Sequence, residues 1–134
     1  SYAFRIIDKV TELGCKVGII LNPATPLSYI KHYLDKIDLL TIMTVDVGFS
    51  GSNFIDEMLE KIDEASCAKR VNDYKYIIQV DGACNRNTYR KLAKAGAQAF
   101  VMGNTGLFMN DSDIDKAYDM MLSDFAKEAG EYYG

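Results

Sequence analysis

A chain of 134 residues, 49% hydrophobic and 25% charged, is about one domain long and has the apolar material for a core, which excludes a disordered polymer. Its 19 acidic and 15 basic residues give a formal charge of -4 with no long single-sign block, which argues against nucleic acid as a partner. Apolar runs such as Val17 to Leu21 and Leu39 to Val45 fall short of the roughly 18 residues a membrane helix needs, so a soluble protein with no membrane partner is expected.

The chain opens Ser-Tyr-Ala-Phe-Arg-Ile-Ile-Asp, which reads as the middle of an amphipathic helix and not as a leader peptide, so the opening is read as an internal cut. Gly14 stands where a left-handed helix cap is wanted, just before the first apolar run, Lys16 to Leu21. Asn22-Pro23-Ala24-Thr25-Pro26 follows, holding both prolines of the chain; it is either a helix start capped by Thr25 or part of a site lining. Tyr29, Ile30, Tyr33, Leu34 and Ile37 then fit one helical stripe.

The second run, Leu39 to Val45, leads into a long loop, Thr44 to Ser52, whose two glycines can let backbone N–H groups close on an anion or can simply connect. A second stripe comprises Phe54, Met58, Leu59 and Ile62. The third run, Tyr76 to Val80, ends in Asp81-Gly82-Ala83. A carboxylate leaving a buried strand there can ligate a cation and exchange a proton with substrate, or it can belong to an ordinary Asp-Gly turn. Tyr89, Leu92 and Ala93 form the third stripe, closed by Gly96. The fourth run, Ala99 to Met102, ends in Gly103-Asn104-Thr105-Gly106, with backbone donors and short polar side chains ahead of an expected helix start.

The runs are nearly continuous in hydrophobicity, as strands buried on both faces are, so helices are expected to cover the sheet. The fold class is therefore α/β, with four parallel strands alternating with helices in one domain, residues 1–134. Alternation alone does not separate a doubly wound open sheet from part of a closed barrel. A complete (β/α)8 TIM barrel takes about 250 residues, so four units in this length amount to half of one. In either case ligands bind at the carboxyl ends of the strands, and barrels often hold phosphate after strands seven and eight.

Other residues carry less. His32, the only histidine, falls in a helical stretch away from any strand end, and Asp46 can order its own loop. Tyr132-Tyr133 and Met120-Met121 read as helix packing or a fraying terminus. Cys15, Cys67 and Cys84 are widely spaced, without a Cys-x-x-Cys pair or a neighbouring histidine, and are expected to be reduced thiols in a cytoplasmic protein.

Three motifs in order, Leu21 to Pro26, Met43 to Gly51 and Val80-Asp81-Gly82, resemble the ribulose-phosphate 3-epimerase family over the whole chain. Within it, Ile42 to Asp46, Val80 to Asn85 and Gly103 to Phe108 are most similar to the D-allulose-6-phosphate 3-epimerases. The resemblance implies strands five to eight of a (β/α)8 barrel that epimerises a phosphorylated ketose at C3 with a divalent metal ion. It makes Asp81 a metal ligand and one of two catalytic aspartates that exchange the C3 proton through a cis-enediolate. It assigns the phosphate to Gly48, Phe49, Ser50 and Gly51, to Gly82 and Ala83, and to Gly103, Asn104 and Thr105, with Met43 lining the site.

Two departures go with the resemblance. Val47 stands where the family usually has proline, which leaves the loop freer by about 0.4–1 kcal/mol where the backbone suits proline. The family's two histidine ligands, its other aspartate and an early serine belong to strands one to three, which the chain lacks. Two readings follow: the back half of an epimerase, inactive alone and partnered by the other half-barrel or by another copy, or a non-catalytic, phosphate-binding or self-assembling half-barrel.

Overall fold

The computed structural model describes residues 2–48 and 51–134. In chain order they form α1 (Ala3–Glu12), β1 (Gly18–Leu21), a 3-10 segment (Leu27–Tyr33), β2 (Leu39–Met43), α2 (Met58–Asn72), β3 (Ile77–Asp81), α3 (Tyr89–Ala95) and β4 (Ala99–Val101). A π turn (Asn104–Phe108), α4 (Ile114–Ala129) and a 3-10 turn (Gly130–Tyr132) complete the chain. All four expected strands exist, but their ends differ: β1 and β2 are trimmed by two residues each, β3 shifts on by one to include Asp81, and β4 stops before Met102.

The strands form one parallel sheet in the order β1-β2-β3-β4. That order decides what alternation left open. Right-handed crossovers between sequential neighbours put every connection on the same side, whereas a doubly wound sheet needs a reversal of strand order. The arrangement is that of part of a (β/α)8 barrel.

Strand side chains alternate between faces. One register row, Leu21, Ile42, Val80 and Phe100, and a second, Ile19, Leu40 and Ile78, point into the helix layer. There they join Ile37, Ile62, Ala65, Tyr76, Tyr89 and Leu92 in the core. The opposite face carries the rows Ile20, Thr41, Gln79, Ala99 and Met43, Asp81, Val101. It is the more open one: Ile20 is 66% and Ile77 46% exposed, though Thr41 is buried. Of the two faces expected to be buried, the described residues bury the helix-facing one. The runs look continuous because Ile20, Leu39, Met43 and Ile77 put apolar residues among the polar ones of this face, but single-sided winding covers only the other.

Helix ends follow the glycines. Cys15 N–H donates to Val10 O at 3.1 Å and Gly14 N–H to Thr11 O at 3.0 Å, the paired bonds of a Schellman cap. Ala97 N–H to Leu92 O (3.1 Å) and Gly96 N–H to Ala93 O (3.0 Å) repeat it after α3.

The stripe after β1 forms a 3-10 segment, not an α-helix, and Ile30 (φ -113°, ψ 18°) interrupts it. A 3-10 helix rises about 2.0 Å per residue against 1.5 Å for an α-helix, so a short connection can still run the length of a strand. Leu27, Ile30 and Leu34 face the core, while Tyr29, expected in the stripe, is 77% exposed. Pro26 occupies the cap position with no side-chain cap bond, so Thr25 does not cap the segment. Phe54 lies ahead of α2, half-buried, with Lys91 Nζ 4.6 Å from its ring centroid.

The C-terminal aromatics pack. Phe125 meets Tyr89, Phe100 and Tyr133 at centroid distances of 5.1, 5.0 and 5.8 Å. The Tyr133 hydroxyl donates to Ala97 O, and burial pushes that phenol up to about 12. No helix among the described residues is long and apolar enough to cross a membrane.

At the amino ends of the strands, the Asp38 carboxylate accepts Val17 N–H at 2.8 Å and lies 3.3 Å from Lys75 Nζ. The backbone hydrogen bond, assisted by Lys75, lowers its pKa below 3.8. A depressed carboxylate contributes stability that is fully present above its unfolded pKa and is lost as pH falls through the folded one. Acid titration of unfolding should therefore show a shallower fall in stability below about pH 4 for Asp38→Asn than for the native chain.

Candidate functional site

The carboxyl ends of β2, β3 and β4 converge through side chains that grip neighbouring backbone. Asp81 ends β3 on the more open face, half-buried and in register between Met43 and Val101. Its carbonyl accepts Thr44 N–H at 2.9 Å. The buried Thr44 hydroxyl donates to Gly82 O at 2.5 Å, so the β2 loop is clamped to the turn that follows the aspartate.

Gly82 is required there twice over. Its φ of +133° disfavours L side chains, and a Cβ would lie 2.7 Å from Val45 Cγ2 and 2.9 Å from Thr44 Oγ1. Ala83, at φ +52°, is also left-handed, which is uncommon without glycine. Its carbonyl is held by the Thr88 hydroxyl at 2.7 Å and by Asn85 Nδ2 at 3.2 Å. Cys84, next in line, is buried; desolvation pushes its thiol up to about 12, and the three cysteines are free. The reading of Cys84 as an ordinary thiol agrees with this, since a protonated buried thiol is a poor nucleophile.

The β4 loop approaches this turn at Gly106, which is buried: a Cβ there would lie 2.1 Å from Cys84 O. The helix expected after Gly103 is a single π turn, with Phe108 N–H bonded to Gly103 O at 3.2 Å and Met109 N–H to Asn104 O at 2.9 Å. Such turns recur at functional sites.

A cavity of about 320 Å³ opens between these loops, lined by Asp81, Gly82, Ala83, Gly103, Asn104 and Thr105, together with Gly51 and Ser52 of the β2 loop. It is within the size range of small-molecule sites. Seven of the residues singled out from sequence thus meet in one place. Met43 stands beside Asp81 in register but outside this lining, and Gly48 is exposed and also outside it. Phe49 and Ser50 lie outside the described residues. His32 and Asp46 are exposed, and neither lines the cavity.

A divalent metal fits this donor set only in part. Among the described residues no group of three or more His, Cys, Asp or Glu side chains gathers, so Asp81 offers one ligand position and not a coordination shell.

Sequence reading missed the residues that hold the loops. Thr44 was read only as the start of its loop, and Thr88 was not singled out. Lys61 is buried on α2, and its Nζ donates to Asn22 O and Pro23 O, both at 3.1 Å, which braces the β1 loop. Desolvation lowers its pKa. The signal was present, because Lys61 sits on the apolar face between Met58 and Ile62, where a charge must find partners.

The model of the ribulose-phosphate 3-epimerase family matches residues 1–108. Ribulose-phosphate 3-epimerase of Escherichia coli K12 is 36% identical over 127 residues, covering 95% of this chain and 56% of the relative. The enzyme of that name in Bacillus subtilis is 41% identical over 117 residues, covering 84% of this chain and 52% of the relative. The chloroplastic ribulose-5-phosphate-3-epimerase of Arabidopsis thaliana is 41% identical over 103 residues, 75% of this chain and 36% of the relative. The chain spans about half the length of the bacterial relatives, which agrees with four strands where a closed barrel has eight. By its family match, its identity to these enzymes and its singly wound parallel sheet, the chain belongs to the ribulose-phosphate 3-epimerase family.

Proposed function

We propose that this chain contributes half of a barrel that epimerises a phosphorylated ketose at C3, with Asp81 as one of its two acid/base residues. The observation that carries the reading is the position of Asp81, at the end of β3, on the same cavity as the glycine-bearing loops after β2, β3 and β4. A carboxylate there is within reach of a sugar whose phosphate is held by Gly51, Gly82, Ala83, Gly103, Asn104 and Thr105, with Gly48, Phe49 and Ser50 completing the phosphate loop and Met43 beside the reacting carbon.

In the forward direction the Asp81 carboxylate takes the C3 proton and becomes a neutral acid, and the electron pair passes into the enediolate. The second aspartate returns a proton to the opposite face, which inverts C3; the reverse reaction exchanges the two roles. A divalent metal would neutralise the enediolate charge, but its further ligands come from outside the described residues, and no step is assigned to it. Ribulose phosphate is the substrate class the relatives' names carry, written as the 5-phosphate for the Arabidopsis thaliana enzyme, and D-allulose 6-phosphate is the one the motif likeness favours.

The test is exchange of the substrate C3 proton with deuterated water, followed by mass spectrometry. It is run on the chain alone and on the chain joined to the first four βα units of the Escherichia coli relative, with both ketose phosphates. Exchange is expected from the completed barrel and not from the chain alone. A folded completed barrel that exchanges neither substrate would overturn the proposal. The more open face, with exposed Ile20 and Ile77, favours a second reading, a self-assembling non-catalytic half-barrel. Sedimentation of the isolated chain as a phosphate-binding dimer, with an inert completed barrel, is the result that reading expects.

A further inference from the structure

Among the residues that line the cavity, Thr105 brings a hydroxyl, which can donate or accept. Its hydrogen-bond partner is Asn85, a residue outside that cavity's lining. The Asn85 amide orientation is determined by two backbone partners. Oδ1 accepts Asn87 N–H at 2.9 Å, and Nδ2 donates to Ala83 O at 3.2 Å. A backbone N–H cannot accept and a carbonyl cannot donate, so the amide cannot be reversed without losing both bonds.

The same Nδ2 lies 3.0 Å from Thr105 Oγ1. Thr105 must therefore accept there, and its own proton points away from Asn85. Asn85 lines the neighbouring cavity of about 360 Å³, which shares Thr105 with the site, so a hydroxyl turned away from Asn85 is free to meet a ligand in the site.

We infer that Asn85 is a positioning residue that commits the Thr105 hydroxyl to donate to a bound phosphate. The device answers a chemical need: the described lining contains no lysine or arginine, so an anion there depends on N–H and O–H donors presented in the right sense. Asn85 also ties the β3 turn to the β4 loop, residues 20 apart in sequence, so the donor is held where the two loops meet. The inference rests on the phosphate reading of the cavity.

Its test is a double-mutant cycle on the chain, with inorganic phosphate as the probe and amide chemical shifts as the readout. Thr105→Val removes the hydroxyl at constant shape and is expected to weaken phosphate binding about tenfold, as for one hydrogen bond to a charged group. Asn85→Ala is expected to weaken it about three- to tenfold, and the double variant should be no weaker than Thr105→Val alone. Thr105→Ser, which keeps the hydroxyl, should bind within about twofold of the native chain.

If the native chain shows no phosphate-dependent shifts, or Thr105→Val binds as the native chain does, the phosphate reading of Thr105 fails and this inference with it. If Thr105→Val weakens binding but Asn85→Ala does not, or the two losses multiply in the double variant, the phosphate reading stands and the inference alone is overturned. A merely structural role for Asn85 would give the multiplied loss, because loop damage does not depend on the threonine hydroxyl.

Discussion

Gly106→Ala is expected to destabilise the chain by about 3 kcal/mol, at the upper end of what overpacking costs. The added Cβ would lie 2.1 Å from the Cys84 carbonyl oxygen and 3.1 Å from Tyr89 Oη. Neither neighbour can move aside cheaply. Cys84 follows the turn whose carbonyls are held by Thr44, Thr88 and Asn85, and Tyr89 is buried against Phe100 and Phe125. The β4 loop must lift away instead, which also breaks the Asn85 to Thr105 bond and opens the cavity.

Unfolding in urea measures the loss, which for a domain of this size corresponds to a fall of roughly 10 °C in Tm. Gly103→Ala is the comparison, since nothing lies within 4 Å of a Cβ there, and its cost should stay below about 1 kcal/mol. Equal stability of the two variants would show that the loops do not approach as closely as described.

The second large effect is on chemistry. In the completed barrel, Asp81→Asn is expected to slow exchange of the C3 proton by about 10²- to 10⁴-fold, the usual contribution of a positioned acid or base. The amide has nearly the same shape, and the contact of this residue with Thr44 runs through its backbone carbonyl, so stability should change by less than about 0.5 kcal/mol. A loss of exchange with unchanged unfolding separates a chemical role from a structural one. Native-like exchange in a folded Asp81→Asn barrel would remove Asp81 from the mechanism and leave the phosphate loops unaffected.

The two variants probe different levels of the same site. Gly106→Ala asks whether the loops must meet, and Asp81→Asn asks whether the carboxylate in the cavity between them does the proposed chemistry. The residues between them, Thr44, Thr88 and Asn85, carry no chemistry of their own. They pin carbonyls of Gly82 and Ala83 in a turn with two consecutive positive φ values, which local preference alone would not hold.

Much of this was legible in the chain. Each strand announced itself as an apolar β-branched run, and Gly14 and Gly96 marked helix ends, because hydrophobic period and cap geometry act over a few residues. The loop motifs were legible for the same reason: Asp81-Gly82-Ala83 and Gly103-Asn104-Thr105 sit directly after their strands, and a parallel sheet puts all such loops at one end. Family likeness then gave those loops a shared purpose.

Less legible was anything that depends on distant residues or on length. The segment after β1 carried a helical stripe, yet became a 3-10 segment with Tyr29 outside, because few residues had to run the length of a strand. Lys61 reaches the β1 loop from α2, and the Thr44 hydroxyl reaches Gly82 across 38 residues. No periodicity encodes such pairings.

The sequence by itself thus determined the alternation of strands and helices and the placing of Asp81 and the glycine-bearing loops at one end of the sheet, all of which rest on local pattern. The tertiary structure alone decided which face of the sheet the helices pack on, because that follows from strand order and crossover hand. It alone decided that Gly106 must be glycine and that Thr105 is bonded to Asn85, because both depend on where Cys84 and Asn85 come to lie in space.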